Sequence, residues 1–221
     1  MASAVDLRVY AVLDPQRCRG RPLGAMAAAA AAGGATLLQL RVKHGTTREL
    51  AAAAREVRLA LAGTAVPIVV NDRVDVALAE RADGVHVGLE DMQPEDARRL
   101  LGPDAILGVT VHHAAETPTG SGIADYAGLG PVFASPSKDV ADPPLGADGL
   151  SRLISELRRR QPGLPVCGIA GIDRENAAAV IAAGADGVAV ISDIFMAEDP
   201  AQAARGLRAV VDAALARRRP R

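Results

Sequence analysis

VPIVVNDRVDVALAERADGVHVGLED, residues 66–91, carries the pattern that decides the fold. Two apolar runs, VPIVV and GVHV, flank RVDVALAERA, whose apolar residues recur at helical spacing. Each run ends in polar residues: Asn71-Asp72 after the first, Gly88 and then Glu90-Asp91 after the second. The unit therefore reads as strand, polar tip, helix, strand, polar tip. Neighbouring strands joined this way run parallel, which puts both tips at one end of a sheet. Two carboxylates converging there can hold a hard cation. Helix capping competes, because Asn and Asp are the best N-cap residues. Taken alone, capping is the stronger reading of Asn71-Asp72, and Asp91 could cap a helix opened by Pro94.

The same alternation runs outward in both directions. Strands are expected at residues 7–13, 36–41, 68–70, 84–87, 106–110, 126–129, 165–168 and 187–191. Helices are expected at about 23–32, from Thr46 or Thr47 to about 62, at 73–81, from Pro94 to Gly102, at 147–160, 174–183 and 200–217. Glu49 is placed to complete a capping box with the threonine. Residues 113–122, with Pro118, Gly120 and Gly122, predict a short or irregular fifth helix. Residues 131–146, rich in Pro, Ser, Asp and Gly, predict a long mobile loop. Eight strand–helix units at roughly 25-residue spacing favour an α/β fold of one closed (β/α)8 TIM barrel over a doubly wound open sheet. The barrel would take up the whole chain as one domain, with short flexible ends at about 1–5 and 217–221. Ala82-Asp83-Gly84-Val85 recurs as Ala185-Asp186-Gly187-Val188, and more loosely at Ala124-Asp125-Tyr126. These copies read as helix-to-strand turns at the end of the barrel away from chemistry.

Composition narrows the function. A chain of 221 residues with 49% hydrophobic residues builds one sizeable core and is not disordered. A formal net charge of −1 exerts no global pull on nucleic acid or anionic membrane. Aromatics at 2% argue against base-stacking platforms. Cys18 and Cys167 have no metal-ligand spacing and suggest no disulfide framework, which makes a reduced, cytoplasmic setting the expectation. No signal peptide or membrane-spanning apolar run is legible.

In a barrel the tips after the strands share one face. The second strand supplies Gln39, Arg41 and Lys43, which alternate onto one side. Gln39 should face the interior and needs polar partners there. The third strand supplies Asn71 and Asp72, the fourth His86 and Asp91, the fifth Thr110. His112-His113 tempts toward zinc, but no third or fourth ligand has suitable spacing. The loop after the sixth strand holds Ser135, Ser137 and Lys138, which suit a polyphosphate. Gly168-Ile169-Ala170-Gly171-Ile172 and Ile191-Ser192-Asp193 follow strands seven and eight, where exposed backbone N–H groups bind phosphate. No Cys–His or Ser–His nucleophile pair is evident. Acids plus cations fit Mg2+ with a diphosphate, and the backbone cradle fits a second, single phosphate.

The pieces QLRVK (39–43), VVNDRVDVALAERADGVHVGLED (69–91), GVTVH (108–112), ADYAGLGPVFASPSK (124–138), GIAGI (168–172) and AGADGVAVIS (183–192) resemble the thiamine phosphate synthase family of (β/α)8 barrels. That family joins an aminopyrimidine methyl diphosphate to a thiazole phosphate and releases diphosphate. The resemblance implies that Gln39, Arg41, Lys43 and Asn71 contact the pyrimidine diphosphate. It implies that Asp72 and Asp91 hold Mg2+ and that His86 lies at the pyrimidine end. Thr110 and Lys138 would grip diphosphate, with Arg41, Lys43 and Lys138 stabilising the departing charge. Ser135 and Ser137 would contact the thiazole phosphate, and Gly168, Gly171, Ile191 and Ser192 would complete the phosphate and ring contacts. Ala170 stands where the family often has glycine. A paralogous thiazole tautomerase has histidine where Pro131 stands and lacks the acid at Asp72, so the resemblance favours the synthase. A catalytically silent ligand-binding paralogue is the other alternative. No nucleic-acid or membrane partner is implied, and family members are often homodimers.

Overall fold

The computed structural model describes residues 5–118, 120, 122–135 and 143–218. Eight parallel strands close into a barrel in chain order, each hydrogen-bonded to its sequence neighbours and β8 to β1. The strands are β1 Val9–Leu13, β2 Leu37–Leu40, β3 Ile68–Asn71, β4 Gly84–Val87, β5 Ile106–Val111, β6 Tyr126–Leu129, β7 Val166–Gly168 and β8 Gly187–Val190. The surrounding helices are α1 Leu23–Ala32, α2 Thr47–Ala60, α3 Val74–Glu80, α4 Pro94–Leu101, α5 Gly146–Arg160, α6 Ala177–Ala182, α7 Ser192–Phe195 and α8 Pro200–Arg217.

Local chemistry explains the boundaries. Thr46 caps α2 and Glu49 reaches back to the Thr46 backbone, completing the capping box. Pro94 and Pro200 open α4 and α8, where a missing N–H leaves nothing unpaired. Among the described residues the fifth unit has a 3-10 turn, Ala114–Glu116, in place of a helix, tied by Glu116 accepting from the His112 and His113 amides at 2.6 and 3.0 Å. The helix α7 lies between β8 and α8 and was not expected from the sequence. Neither terminal segment expected to be flexible is wholly described, since residues 1–4 and 219–221 lie outside the described residues.

The repeated aspartates work as staples at the strand starts. Asp83 accepts from Ile68 N at 2.8 Å, Asp125 from Leu107 N at 2.7 Å and Asp186 from Val166 N at 3.0 Å. Arg98 pairs with Asp125, and Arg158 and Arg218 with Asp186. Each staple ties the start of a strand to the next strand in the barrel, which helps hold the register of parallel strands.

Two cores result. The larger lies between strands and helices and contains Val9, Leu38, Val70, Leu107, Val188 and their neighbours. The smaller fills the barrel and contains Leu7, Tyr10, Val12, Leu37, Val69, Tyr126, Cys167 and Ala189. Both tyrosines of the chain are therefore inside the barrel. They fit because of glycine: Gly108 lies opposite Tyr126 on the neighbouring strand, and a Cβ there would sit 2.1 Å from Tyr126 Cζ.

The first part of the 131–146 loop is held rather than loose. Val132 is buried, Val132 N donates to Ile169 O at 2.9 Å, and Phe133 N donates to Ala170 O at 3.2 Å. Residues 136–142 lie outside the described residues.

Candidate active site

A cavity of about 370 Å³ opens at the C-terminal ends of the strands. Gln39, Arg41, Lys43, Asn71, Asp72, His86, Asp91, Thr110, Ser135, Gly171, Ile191 and Ser192 all line it, and Tyr10 and Val12 add the first strand, so all eight strand units converge as the barrel topology requires. Gly168 does not line it. A Cβ at Gly168 would meet Val180 and Ile172, so that residue faces the helical layer, and Ile169 and Ala170 border the cavity in its place. Ser137 and Lys138 lie outside the described residues.

The rim is charged. Lys43 Nζ sits 2.6 Å from Asp72 Oδ2, and Arg41 Nη1 sits 2.6 Å from Asp14 Oδ2. Asp14 also accepts from Gln16 N at 3.0 Å, capping a 3-10 turn at Pro15–Arg17. That double duty fixes Arg41 from below. The carboxyls of Asp72 and Asp91 lie within hydrogen-bonding reach of each other. Burial raises the Asp72 carboxyl above its usual range and the neighbouring Asp91 adds to this, while the Lys43 ammonium pulls it back. Asp72 adopts the left-handed conformation at φ 65°, which aspartate tolerates better than most residues.

Neither acid caps a helix. The N-cap of α3 is Arg73 and that of α4 is Gln93, and neither helix start has a side-chain cap bond. Asp91 Oδ2 instead accepts from Gly88 N at 2.7 Å, folding its own loop. The capping reading of Asn71, Asp72 and Asp91 is thereby corrected. The N-caps fall one residue past Asp72 and two past Asp91, which takes the acids out of cap position and leaves them lining the cavity.

The floor is polar although it is buried. Gln39 Nε2 donates to the Tyr10 hydroxyl, which lies 2.6 Å from the Tyr126 hydroxyl. His86 Nδ1 lies 3.0 Å from the Tyr126 hydroxyl and His86 Nε2 lies 2.9 Å from Thr110 Oγ1. Burial pushes both phenols well above their usual range. Tyr10, Tyr126 and Asp14 went unnoticed as site residues in the sequence. A signal existed: a phenol hydroxyl in the middle of a buried strand must find a polar partner.

The opposite wall is formed by the turn after β7 and the start of α7. Ala170 and Gly171 both adopt positive φ, 70° and 67°. A Cβ at Gly171 would sit 2.6 Å from Ala134 O, so the close approach of the two loops requires glycine there. Asp193 also lines this end. Burial raises its carboxyl above the usual range, opposed by a hydrogen bond from the Arg174 backbone amide.

The residues can be tested against a metal. Among the described residues, no group of three or more His, Cys, Asp and Glu side chains could hold an ion. A closed all-protein site of the zinc kind is therefore not built among them. The Asp72–Asp91 pair with an open side fits Mg2+, which is commonly held by one or two carboxylates plus substrate phosphates.

Fold and site together define a (β/α)8-barrel enzyme whose cavity at the strand C-termini has a charged rim and hydrogen-bonded polar side chains on its floor. A family model described as thiamine monophosphate synthase matches residues 9–194. A thiamine-phosphate synthase of Agrobacterium fabrum is 51% identical over 217 residues, covering 98% of this chain and 99% of its own. One from Chloroflexus aurantiacus is 46% identical, covering 96% of this chain and 95% of its own. The solved thiamine phosphate pyrophosphorylase of Pyrococcus furiosus superposes with a TM-score of 0.82 at 34% identity, over 96% of this chain and 98% of its own. The chain belongs to the thiamine monophosphate synthase family, whose named relatives are transferases.

Proposed function

We propose that the chain is a thiamine-phosphate synthase that condenses 4-amino-5-hydroxymethyl-2-methylpyrimidine diphosphate with thiazole phosphate, giving thiamine phosphate and diphosphate. The observation that carries the reading is the Asp72–Asp91 carboxylate pair at the mouth of the cavity, flanked by Lys43 and backed by Arg41. Two acids that cap no helix, one of them raised by burial with its neighbour adding to the effect, suit a cation between them.

The substitution is dissociative on this reading. The pyrimidine ring rests on the floor formed by Gln39, Tyr10 and His86, with its diphosphate directed past Thr110 to the rim. Arg41 and Lys43, joined by Lys138, stabilise the negative charge that builds as the carbon–oxygen bond breaks. Such preorganised electrostatics is often the largest catalytic contribution. Mg2+, held by Asp72 and Asp91, would supply further charge neutralisation to the leaving diphosphate. The thiazole nitrogen attacks the pyrimidine-stabilised cation, so no protein nucleophile is needed. This agrees with the buried state of Cys18, whose thiol is pushed up to about 11, and of Cys167, pushed higher still. The backbone at Ala170–Ile172 and Ile191–Ser192, with Ser135 and Ser137, receives the thiazole phosphate.

Two unpaired, buried thiols suit a reducing cytoplasm. No helix among the described residues is long and apolar enough to cross a membrane. A homodimer is proposed from the family resemblance.

The test is product formation from both substrates, followed by mass spectrometry with and without Mg2+. Asp72→Ala and Lys138→Ala should each lower turnover on the order of 10²-fold or more. Unchanged turnover in both at saturating substrate would overturn the roles, and equal rates in excess chelator would overturn the metal.

A further inference from the structure

Five side chains from five strands are joined end to end beneath the cavity: Gln39, Tyr10, Tyr126, His86 and Thr110. Both ends, Gln39 and Thr110, line the cavity, whereas Tyr126 is wholly buried below it. A neutral phenol has one proton to give, and burial keeps both phenols neutral at any working pH. Tyr10 accepts from Gln39 Nε2, so its own proton goes to Tyr126. Tyr126 then gives its proton to His86 Nδ1. That places the imidazole proton on Nε2, which donates to Thr110 Oγ1. The Thr110 proton is directed onward. Each bond sets the direction of the next, and one reversed member would leave two donors or two lone pairs face to face in a dry interior.

We infer that this relay sets ligand selectivity: it holds the Gln39 amide oxygen as an acceptor and the Thr110 hydroxyl as a donor toward the cavity, so the bound ring must offer Gln39 an amine and not an oxo group. Tyr126 is a positioning residue in this scheme, and Tyr10 both borders the cavity and orients Gln39. Gly108 keeps the space for it, since a Cβ there would lie 2.3 Å from the Tyr126 hydroxyl. The choice of an amine-bearing ring rests on the proposed pyrimidine substrate; the direction of the relay does not.

The test is calorimetric binding of the aminopyrimidine diphosphate and of its oxo counterpart to the full-length protein, without thiazole phosphate. Wild type should favour the amine by about 100-fold or more, as a site built to accept a hydrogen bond does. Tyr126→Phe keeps the ring but removes the hydroxyl, which frees Tyr10 to donate to Gln39 and lets the amide turn over. Its preference should fall below about tenfold, with thiazole phosphate affinity unchanged. Tyr10→Phe should do the same and serves if Tyr126→Phe does not fold. A preference within about twofold of wild type in a folded variant overturns the inference. Nitrogen-15 spectra of His86, assigned by signal loss in His86→Asn, give a readout independent of substrate. An Nε2–H tautomer in wild type supports the relay, and an Nδ1–H tautomer or an imidazolium overturns it. If the tautomer is as stated but wild type binds neither diphosphate, the substrate reading has failed and the selectivity falls with it.

Discussion

Replacing Gly108 with alanine tests the architecture of the cavity floor with one methyl group. The added Cβ would lie 2.1 Å from Tyr126 Cζ, 2.3 Å from its hydroxyl and 2.5 Å from Cε1. Ordinary carbon–carbon contact begins near about 3.5 Å, so the ring must retreat by more than about 1 Å. It has nowhere to go without loss, because its hydroxyl is held at 2.6 Å by Tyr10 and at 3.0 Å by His86. A bond lengthened by that much is broken. Overpacking contributes about 1–3 kcal/mol, and leaving buried polar groups unpaired about 1–3 kcal/mol more. The expected loss is about 2–6 kcal/mol, a large share of the roughly 5–15 kcal/mol that holds a typical domain together. Urea unfolding followed by far-UV circular dichroism reads the loss. The double variant Gly108→Ala with Tyr126→Leu should recover part of the stability, since the clash is gone, yet not the preference for the amine ligand. A Gly108→Ala protein within about 0.5 kcal/mol of wild type would refute the packing argument; that is the ordinary range for a surface change.

Three further substitutions probe other links. Asp72 has its carboxyl raised in the folded state, so folding favours the protonated form and ionisation opposes folding at neutral pH. Asp72→Asn should therefore melt higher than wild type at pH 7, the gain should vanish below the ordinary carboxylate pKa of 3.8, and Mg2+ should raise the melting temperature of wild type only; a lower melting temperature at pH 7 would contradict this. Ala170→Gly removes a Cβ from a residue at φ 70°, relieving about 1 kcal/mol of strain against a smaller entropic loss. Thermal melts should show a gain of a few tenths of a kcal/mol, by roughly that balance, and a clear loss would mean the turn is not strained. Asp14→Ala uncaps the turn after β1 and leaves Arg41, whose side chain is 16% exposed, without its partner. It should destabilise by about 2–4 kcal/mol and raise the KM for the diphosphate substrate more than that for thiazole phosphate; an even rise in both would make Asp14 merely structural.

Much of the site was legible because barrel topology turns a one-dimensional list of strand tips into one face. Gln39, Arg41 and Lys43 alternate along β2 and its extension, and all three line the cavity as their spacing implied. Gly168 failed by one residue: period-two alternation is reliable within β7, but its phase is set by pairing with β6, which turns Gly168 outward and Ile169 inward. The tyrosines were missed because each sits in an apolar run that reads as core. Their partners come from strands up to 116 residues away in sequence.

What could be read from the chain alone was the eight-fold alternation of strand and helix and the placement of Asp72 and Asp91 at the same end. Periodicity and short right-handed connections are local properties, and they leave little choice of topology. Whether those acids would cap helices or meet each other was not local. It depended on where α3 and α4 begin relative to β3 and β4, and on the closure that brings the two loops together. The same holds for the floor. Gly108 lies opposite Tyr126, and Tyr10 reaches across the interior to it, only because the barrel closes in one register. The barrel's registry therefore decided the polar relay and the carboxylate pair, the two features on which the proposed chemistry rests.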